Sequence, residues 1–315
     1  MRHRKLLGGL AAALALTLST TGHAADPASC QTVRFSDPGW TDIASTNALA
    51  GVVLESLGYR QQVQILAVPV GFQSMKNQDI DVFLGNWMPA QTDKIDAYLK
   101  DGSIEVVGEN LAGAKFTLAV NKAAFEAGVK DFADLAKYAE RFGGQIYGIE
   151  SGAPANLSLR KMIDANDFGL GKWRLVESSE QAMLSQVKRR IASGNWIVFL
   201  AWEPHPMNTN FEIRYLTGGD KYFGPDFGGA TVHTVVRKGY LAQCPNVGKL
   251  LKNMRFTLEM ENQMMGLILD HGLKPNEAAR KWLAEHPQVL DSWLKEVTTL
   301  DGQPALPAVQ VSLRQ

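Results

Sequence analysis

Short strand-type segments alternate with segments of helical spacing along most of this 315-residue chain. Residues 32–36 and 81–84 are typical of strands, whereas 42–57 has apolar residues at helical spacing. The alternation continues to a strand-type segment at 231–237, and from 246 onward the pattern is helical. Strands that alternate with helices predict an α/β fold with a parallel or mixed sheet. The other predicted elements are strands at 63–68, 115–121, 145–149 and 196–201, helices at 91–100, 131–141, 246–253, 255–270, 276–286 and 289–297, and a capping-box helix start at Ser178.

The composition, with 45% hydrophobic and 20% charged residues, is that of a globular protein. The 32 basic and 32 acidic side chains balance, and this argues against nucleic-acid binding because phosphate neutralisation requires a basic surface. The length corresponds to about two domains of roughly 150 residues each. Since no Pro- or Gly-rich linker divides the sequence, we expect two lobes that interleave, with the chain crossing over and returning.

The first 24 residues have the layout of a secretory signal peptide. A basic start precedes an apolar run at 6–18, and the small residues Gly22 and Ala24 precede the expected cut after Ala24. The apolar run is shorter than the roughly 20 residues that span a bilayer, which argues against a membrane anchor. We therefore expect export to the periplasm.

Cys30 and Cys244 are the only cysteines in the sequence. Thiols oxidise in the periplasm, so we expect a disulfide that ties the start of the exported chain to its last third. Two separate buried thiols are the alternative. The histidines after residue 24 have no metal-ligand spacing, and no phosphate loop or dinucleotide fingerprint is present, so we expect neither a metal nor a cofactor.

Three of the seven tryptophans directly follow predicted strand ends: Trp40, Trp87 and Trp202. Ligands of α/β proteins bind beyond the carboxyl ends of strands. Converging indole faces attract, through the ring quadrupole, a cation that has no hydrogen-bonding proton. The pattern therefore predicts a site for a quaternary ammonium group, with buried turn tryptophans as the alternative.

Six segments together resemble the choline and glycine-betaine binding proteins of bacterial ABC importers, most of all their periplasmic choline-binding branch. The resemblance runs from about residue 30 to about residue 293. It implies a type II periplasmic binding protein fold, which has two α/β lobes, two hinge crossings and a ligand cleft between the lobes. It also implies a disulfide between Cys30 and Cys244. The segments are VRFSDPGWTD, DIDVFLGNWMP, ENLAGAKFTLA, VESSEQAML, FLAWEPHPMN and FGGATVHT.

The resemblance also implies which residues bind the ligand. In the choline binders three tryptophans and a tyrosine surround the ammonium group, and the tyrosine position is Phe116 here. An aspartate near the ligand hydroxyl matches Asp42, and an asparagine in a Gly-rich turn falls on Ala153. Asp42 also suits a first helical turn electrostatically. For His205, a hydrogen bond within its own turn is an alternative to a role in ligand binding. The full candidate set is Trp40, Asp42, Trp87, Phe116, Gly152, Ala153, Asn156, Trp202 and His205.

The implied mechanism is capture between two lobes. Lobe I comprises residues 25–112 and 218–315 and lobe II residues 113–217. Ligand contacts to both lobes stabilise a closed form, which an ABC permease in the inner membrane recognises. We expect a monomer with no catalytic residues.

The ligand itself is less constrained than its ammonium group. Because the turn at 150–156 has more room and can direct backbone N–H groups at an anion, the sequence ranks carnitine first, glycine betaine second and choline third. Two other functions stay open. One is hydrolysis of quaternary ammonium esters, for which only Ser151 with His205 could supply a nucleophile and base, and the other is sensing through a receptor.

Overall fold

The computed structural model describes residues 26–314, so the expected signal peptide at 1–24 lies outside the described residues. The described part is a mixed α/β structure with one sheet, as the alternating pattern predicts. Its strands are β1 (Thr32–Asp37), β2 (Arg60–Ile65), β3 (Val82–Met88), β4 (Ile104–Asn121), β5 (Gln145–Tyr147), β6 (Arg174–Val176), β7 (Val198–Glu203), β8 (Ile213–Tyr215) and β9 (Gly229–Arg237).

Helices cover the sheet, and none in the described part of the chain is long and apolar enough to cross a membrane. They are α1 (Thr41–Ser56), α2 (Val68–Lys76), α3 (Thr92–Lys100), α4 (Lys122–Glu126), α5 (Ala139–Phe142), α6 (Pro154–Asp164), α7 (Glu180–Ala192), α8 (Met207–Asn210), α9 (Asp220–Phe223), α10 (Pro225–Gly228), α11 (Tyr240–Gln243), α12 (Pro245–Asn253), α13 (Leu258–Leu269), α14 (Pro275–Glu285), α15 (Val289–Trp293) and α16 (Ala305–Ser312).

The sheet has the strand order β2-β1-β3-β9-β4-β7-β5-β6, with β8 beside β4. The outer pairs β1–β2 and β5–β6 are parallel, whereas β4 is antiparallel to β7 and β9. The two parallel parts therefore meet through antiparallel strands at the centre of the sheet.

Strand β4 is much longer than the predicted strand at 115–121 and connects the two parts of the sheet. Residues 104–115 pair with β9, with three register shifts, and residues 115–120 pair with β7. Register shifts of this kind bend a strand. Strand β9 begins beside the middle of β4, since Lys115 pairs with Gly229. A Cβ on Gly228 would lie 1.9 Å from the carbonyl oxygen of Phe116, so only glycine fits this close approach.

Helix α1 is buried along nearly its whole length, and this sets the environment of the candidate site. The helix packs against β1, β2 and β3 and against α13, α14 and α16, and the buried residues of its second half are mostly apolar. Its first turns are polar yet also buried, including Thr41 and Asp42. A helix that is buried on all sides belongs to the core, so the polar first turns face an internal site rather than bulk water.

Cys30 and Cys244 form a disulfide across 214 positions of sequence, with their Cα atoms 5.7 Å apart. Cys30 lies two residues before the start of β1, and Cys244 immediately precedes α12. Both sulfurs are buried. The bond therefore ties the first strand of the described chain to the helical C-terminal third, as the sequence predicts.

Several local predictions differ from the structure. Helices α2 and α6 are not predicted, and the predicted helix at 131–141 is two 3-10 turns followed by α5. A capping box at Asp131 and Asp134 holds the chain in a 3-10 turn there. Helix α7 begins one residue later than predicted, because Ser179 rather than Ser178 accepts the capping bond from the N–H of Ala182.

Candidate functional site

A cavity lies where β3, β4, β7 and the start of α1 approach one another. The four candidate aromatic residues line it together, and all are less than 10% exposed. Trp87 and Trp202 belong to β3 and β7, which continue past the predicted strand ends because both residues pair with neighbouring strands. The full lining is Trp40, Asp42, Trp87, Ala90, Gln91, Phe116, Ile149, Ala153, Pro154, Ala155, Leu200, Ala201 and Trp202.

The aromatic rings are fixed by strand register and by edge contacts. Phe116 lies directly opposite Trp202 in the β4–β7 pair. The rings of Trp87 and Phe116 meet edge to face, with centroids 6.3 Å apart and planes at 86°. Phe223 supports Phe116 from behind at 5.6 Å. Four aromatic side chains thus enclose one cavity, and we call Trp40, Trp87, Phe116 and Trp202 the cage.

Carboxylates hold two of the cage indoles by their N–H groups. The Nε1 of Trp87 donates to Oδ2 of Asp42 at 3.2 Å, and the Nε1 of Trp40 donates to Oε2 of Glu150 at 2.9 Å. Because these bonds engage the edges of the indoles, they orient the rings, and each carboxyl group places negative charge beside its ring when it is ionised. A negative field behind the rings strengthens the attraction of an aromatic cage for a cation.

Asp42 is the ionisable side chain of the cavity lining. It is 2% exposed, and burial together with the charge of Glu180 raises its pKa to about 8. Its Oδ1 is buried and has no hydrogen-bond partner. When Asp42 is ionised, it can accept a hydrogen bond from a ligand hydroxyl and balance the charge of a cation. When Asp42 is protonated, it can donate a hydrogen bond to an anion.

Other carboxyl groups surround the cavity behind its lining. Burial raises the pKa of Asp37 to about 6 and raises the pKa of Glu150. Burial and the charge of Asp42 raise the pKa of Glu261 well above its usual value. No lysine, arginine or histidine belongs to the described lining. The site therefore has an excess of acidic groups that a bound cation would stabilise.

The turn at 150–156 contributes less of the lining than the sequence predicts. Ala153 lies in the cavity wall, next to the first residues of α6. Gly152 is outside the lining and has a left-handed backbone with φ of +87°. Asn156 is fully buried behind the turn, where its amide bonds Ile149 and the side chain of Glu177. Asn156 therefore holds the turn in shape and does not reach the cavity.

His205 also lies outside the lining, and both of its ring nitrogens have partners. Nδ1 accepts from the N–H of Met207 at 2.9 Å, so Nε2 carries the proton and donates to Glu180 at 3.2 Å. Ser151 is exposed and makes no hydrogen bond to His205 within the described structure. The pair that ester hydrolysis would require is not assembled, and His205 acts within its turn and toward Glu180.

Gln91, Glu150 and Glu180 belong to the site environment but are absent from the predicted set. Gln91 lines the cavity, donates to the carbonyl of Gly85 and leaves its Oε1 buried without a partner. It occupies the N-cap position of α3 without capping it. Glutamine is a poor N-cap, but only the structure places Gln91 at that position, so the sequence gives no signal for its role.

The described residues contain no group of three or more His, Cys, Asp or Glu side chains arranged to hold a metal ion.

Comparison with known families gives a match over most of the chain. The family described as the substrate binding domain of ABC-type glycine betaine transport systems, OpuAC, matches residues 31–285. A curated relative, the glycine betaine/carnitine transport binding protein GbuC of Listeria monocytogenes, is 31% identical over 163 residues. That match covers 52% of this chain and 53% of the relative, so this chain spans about half the length of GbuC.

Two solved structures are similar over nearly the whole described chain. An ABC-transporter choline binding protein in complex with choline is 54% identical, with a TM-score of 0.90. A choline binding protein in an unliganded semi-closed conformation is also 54% identical, with a TM-score of 0.84. Each match covers 91% of this chain and 100% of the other. These similarities confirm the predicted resemblance and the periplasmic binding protein fold.

Proposed function

Since this chain belongs to the OpuAC family, the substrate-binding domains of ABC-type glycine betaine transport systems, we propose that it captures a quaternary ammonium cation of the choline type for an ABC importer. Proteins of this family bind solutes and are not enzymes. The cage is the observation that carries the proposal, because four aromatic side chains enclose one cavity and carboxylates hold two of its three indoles. Such a cavity suits a trimethylammonium group, which cannot donate hydrogen bonds.

The charges around the cavity favour a ligand with net positive charge. Asp42 is in the lining and Glu150 and Glu180 are behind it, while the described lining contains no basic side chain. A ligand carboxylate would therefore meet acidic groups without a cation to balance them. Choline has a hydroxyl that can donate to the unpartnered Oδ1 of Asp42, and it has no carboxylate. We therefore propose choline ahead of the zwitterions.

One observation favours zwitterions as a second class of ligand. Helix α6 begins at Pro154, and its first residues, Pro154 and Ala155, form part of the cavity wall. The first turn of a helix has unpaired N–H groups and a partial positive charge that suit a carboxylate. The carnitine preference drawn from the sequence stays a prediction that rests on this wall of the cavity.

We propose that two lobes close on the ligand. Trp40, Asp42 and Trp87 belong to lobe I, and Phe116, Ala153 and Trp202 belong to lobe II. The first crossing lies in β4 near residues 112–113. For the second crossing we propose Gly228–Gly229 rather than 217–218, because Phe223 packs on Phe116 and Phe132 and the Tyr222 hydroxyl donates to Asp167. The segment 218–228 thereby joins lobe II.

The family works outside the cytoplasm, and we propose the periplasm for this chain, reached through a cleaved signal peptide at 1–24. The partner that we propose is an ABC permease in the inner membrane, which would recognise the closed form of a monomer. A receptor of a sensory pathway is the alternative partner. Uptake of labelled ligand by cells with and without the chain distinguishes transport from sensing.

Calorimetric titration with choline, glycine betaine and carnitine at pH 8 tests the ligand assignment. We expect choline to bind at least tenfold more tightly than either zwitterion, because both zwitterions bring a carboxylate next to Asp42. Carnitine binding more tightly than choline would overturn the choline assignment and support the first turn of α6 as the determinant. If none of the three ligands binds, the proposed function itself is wrong.

A further inference from the structure

The start of α1 is held from the opposite side of the cleft by two carboxylates. Both side-chain oxygens of Glu180 bond Thr41: Oε2 accepts from the backbone N–H at 2.9 Å, and Oε1 accepts from the hydroxyl. On the neighbouring residue, Oε2 of Glu150 accepts from the indole Nε1 of Trp40. Thr41 lies between Trp40 of the cage and Asp42 of the lining, so these bonds hold the very segment that forms one wall of the cavity.

Glu180 accepts a hydrogen bond from a backbone N–H at the N-terminus of α1, although it lies 139 residues away in sequence. The N-cap residue of α1 is Trp40, whose side chain makes no capping bond. A helix N-terminus with unpaired N–H groups favours a nearby carboxylate through hydrogen bonding and the helix dipole. The side chain of Glu180 is fully buried, and bonds of N–H and O–H donors to a carboxylate are stronger than neutral bonds.

Glu180 also connects to the other wall of the cavity. Its Oε1 accepts from Nε2 of His205 at 3.2 Å, and the His205 ring lies edge to face against Trp202, with centroids 5.1 Å apart. One carboxylate thus links Thr41, beside Trp40 and Asp42, with His205, beside Trp202. The contact to His205 lies within lobe II, whereas the contact to Thr41 crosses the cleft.

We propose that Glu180 is a positioning residue that latches the closed lobes by capping α1 across the cleft. The inference rests on the proposed function, since it requires two lobes that close on a ligand. When the lobes separate, the N–H and hydroxyl of Thr41 bond water, and Glu180 keeps only His205. When they close, the bonds to Thr41 re-form and fix Trp40 and Asp42 relative to Trp202.

This role predicts a kinetic signature that a purely structural residue would not give. A contact that exists only in the closed form stabilises the bound complex and does not affect the encounter of ligand with the open form. Its loss therefore raises the dissociation rate and leaves the association rate nearly unchanged. It also leaves the melting temperature of the ligand-free open protein nearly unchanged.

The test is stopped-flow fluorescence with choline on Glu180→Gln, Thr41→Val and the double variant. The glutamine keeps the size of the side chain, but it loses the charge and directs its amide N–H₂ at donors. We expect koff to rise at least tenfold in Glu180→Gln and less in Thr41→Val, which keeps the backbone N–H. The double variant should be no worse than Glu180→Gln, because residues that act through one contact are non-additive. Association rates should stay within about threefold of wild type.

Glu212→Gln is the matched control, since Glu212 is an exposed lobe II carboxylate that pairs with Lys122 at 3.0 Å. It should leave both rate constants as in wild type. An unchanged koff in Glu180→Gln, or a large fall in the melting temperature of this variant without ligand, would overturn the latch. The proposed function would still stand as long as the wild-type protein binds choline. If wild type binds no quaternary ammonium ligand, both the latch and the proposed function fail.

Discussion

Replacing Trp87 or Trp202 by alanine is expected to weaken choline binding at least tenfold in each variant. Both indoles line the cavity and are less than 10% exposed. A desolvated cation–π contact contributes about 2 kcal/mol or more, which corresponds to roughly thirtyfold in affinity. Titration calorimetry on the two purified variants measures the effect directly.

Trp282→Ala is the control that separates the loss of a buried indole in general from the loss of a cage indole. Trp282 is buried in α14, stacks on His286 with centroids 4.3 Å apart, and donates to Gln263. It lies outside the described lining of the cavity. Its replacement should lower the melting temperature and leave the affinity for choline nearly unchanged. Wild-type affinity in both cage variants would show that the ligand binds elsewhere.

Choline and the zwitterions are expected to respond to pH in opposite directions. Asp42 has a pKa of about 8 in the ligand-free site, so it is mostly protonated at pH 7 and mostly ionised at pH 9. A bound cation favours the ionised form, and its binding at pH 7 therefore releases a proton. Choline affinity should rise about tenfold from pH 7 to pH 9 by this linkage. Glycine betaine and carnitine affinities should fall, because ionised Asp42 repels their carboxylates.

The same pKa predicts how the stability of the ligand-free protein varies with pH. The folded-state pKa of Asp42 lies above its unfolded value of 3.8, so folding favours the protonated form. The stabilisation from this group is complete below about pH 4 and is lost as pH rises through about 8. Asp37, with a pKa of about 6, acts in the same direction at lower pH. Glu261, whose pKa burial raises well above its usual value, also acts in the same direction.

Asp42→Asn is the control for the pH response, because it keeps the shape of the side chain and removes the titration. Both opposite trends should disappear between pH 7 and 9 in this variant. Isothermal titrations in buffers of different ionisation enthalpy count the protons released. If the affinities for choline and carnitine change with pH in the same direction in wild type, the role assigned to Asp42 is wrong. It is also wrong if the pH dependence of either affinity persists in Asp42→Asn.

The fold class follows from local patterns, since strand and helix periods alternate clearly, but element lengths depend on pairing. Strand β4 is predicted at 115–121 and extends back to Ile104 because β9 pairs with its first part. Helix α6 is not predicted, and its first three residues fall within the turn assigned to 150–156. The helix predicted at 131–141 fails because side-chain caps at Asp131 and Asp134 stabilise a 3-10 turn.

The cage is accessible to sequence reasoning because each of its tryptophans lies beside turn residues after a strand-type segment, and the ends of such segments meet at one edge of a sheet. The carboxylates behind the cage are not accessible in the same way. Glu180 contacts Thr41 across 139 positions of sequence, and Glu150 contacts Trp40 across 110. No local pattern encodes these pairs, since they arise only when the two parts of the sheet face each other.

The most direct test of the central claim compares choline with 3,3-dimethylbutan-1-ol, its neutral analogue of the same shape, by calorimetric titration of the wild-type protein at pH 8. Both molecules fill the cavity equally, but only choline carries the positive charge that aromatic faces and Asp42 attract. We expect choline to bind at least thirtyfold more tightly, on the order of the ~2 kcal/mol of a desolvated cation–π contact. Equal affinities for the two would contradict capture of a quaternary ammonium cation by the cage.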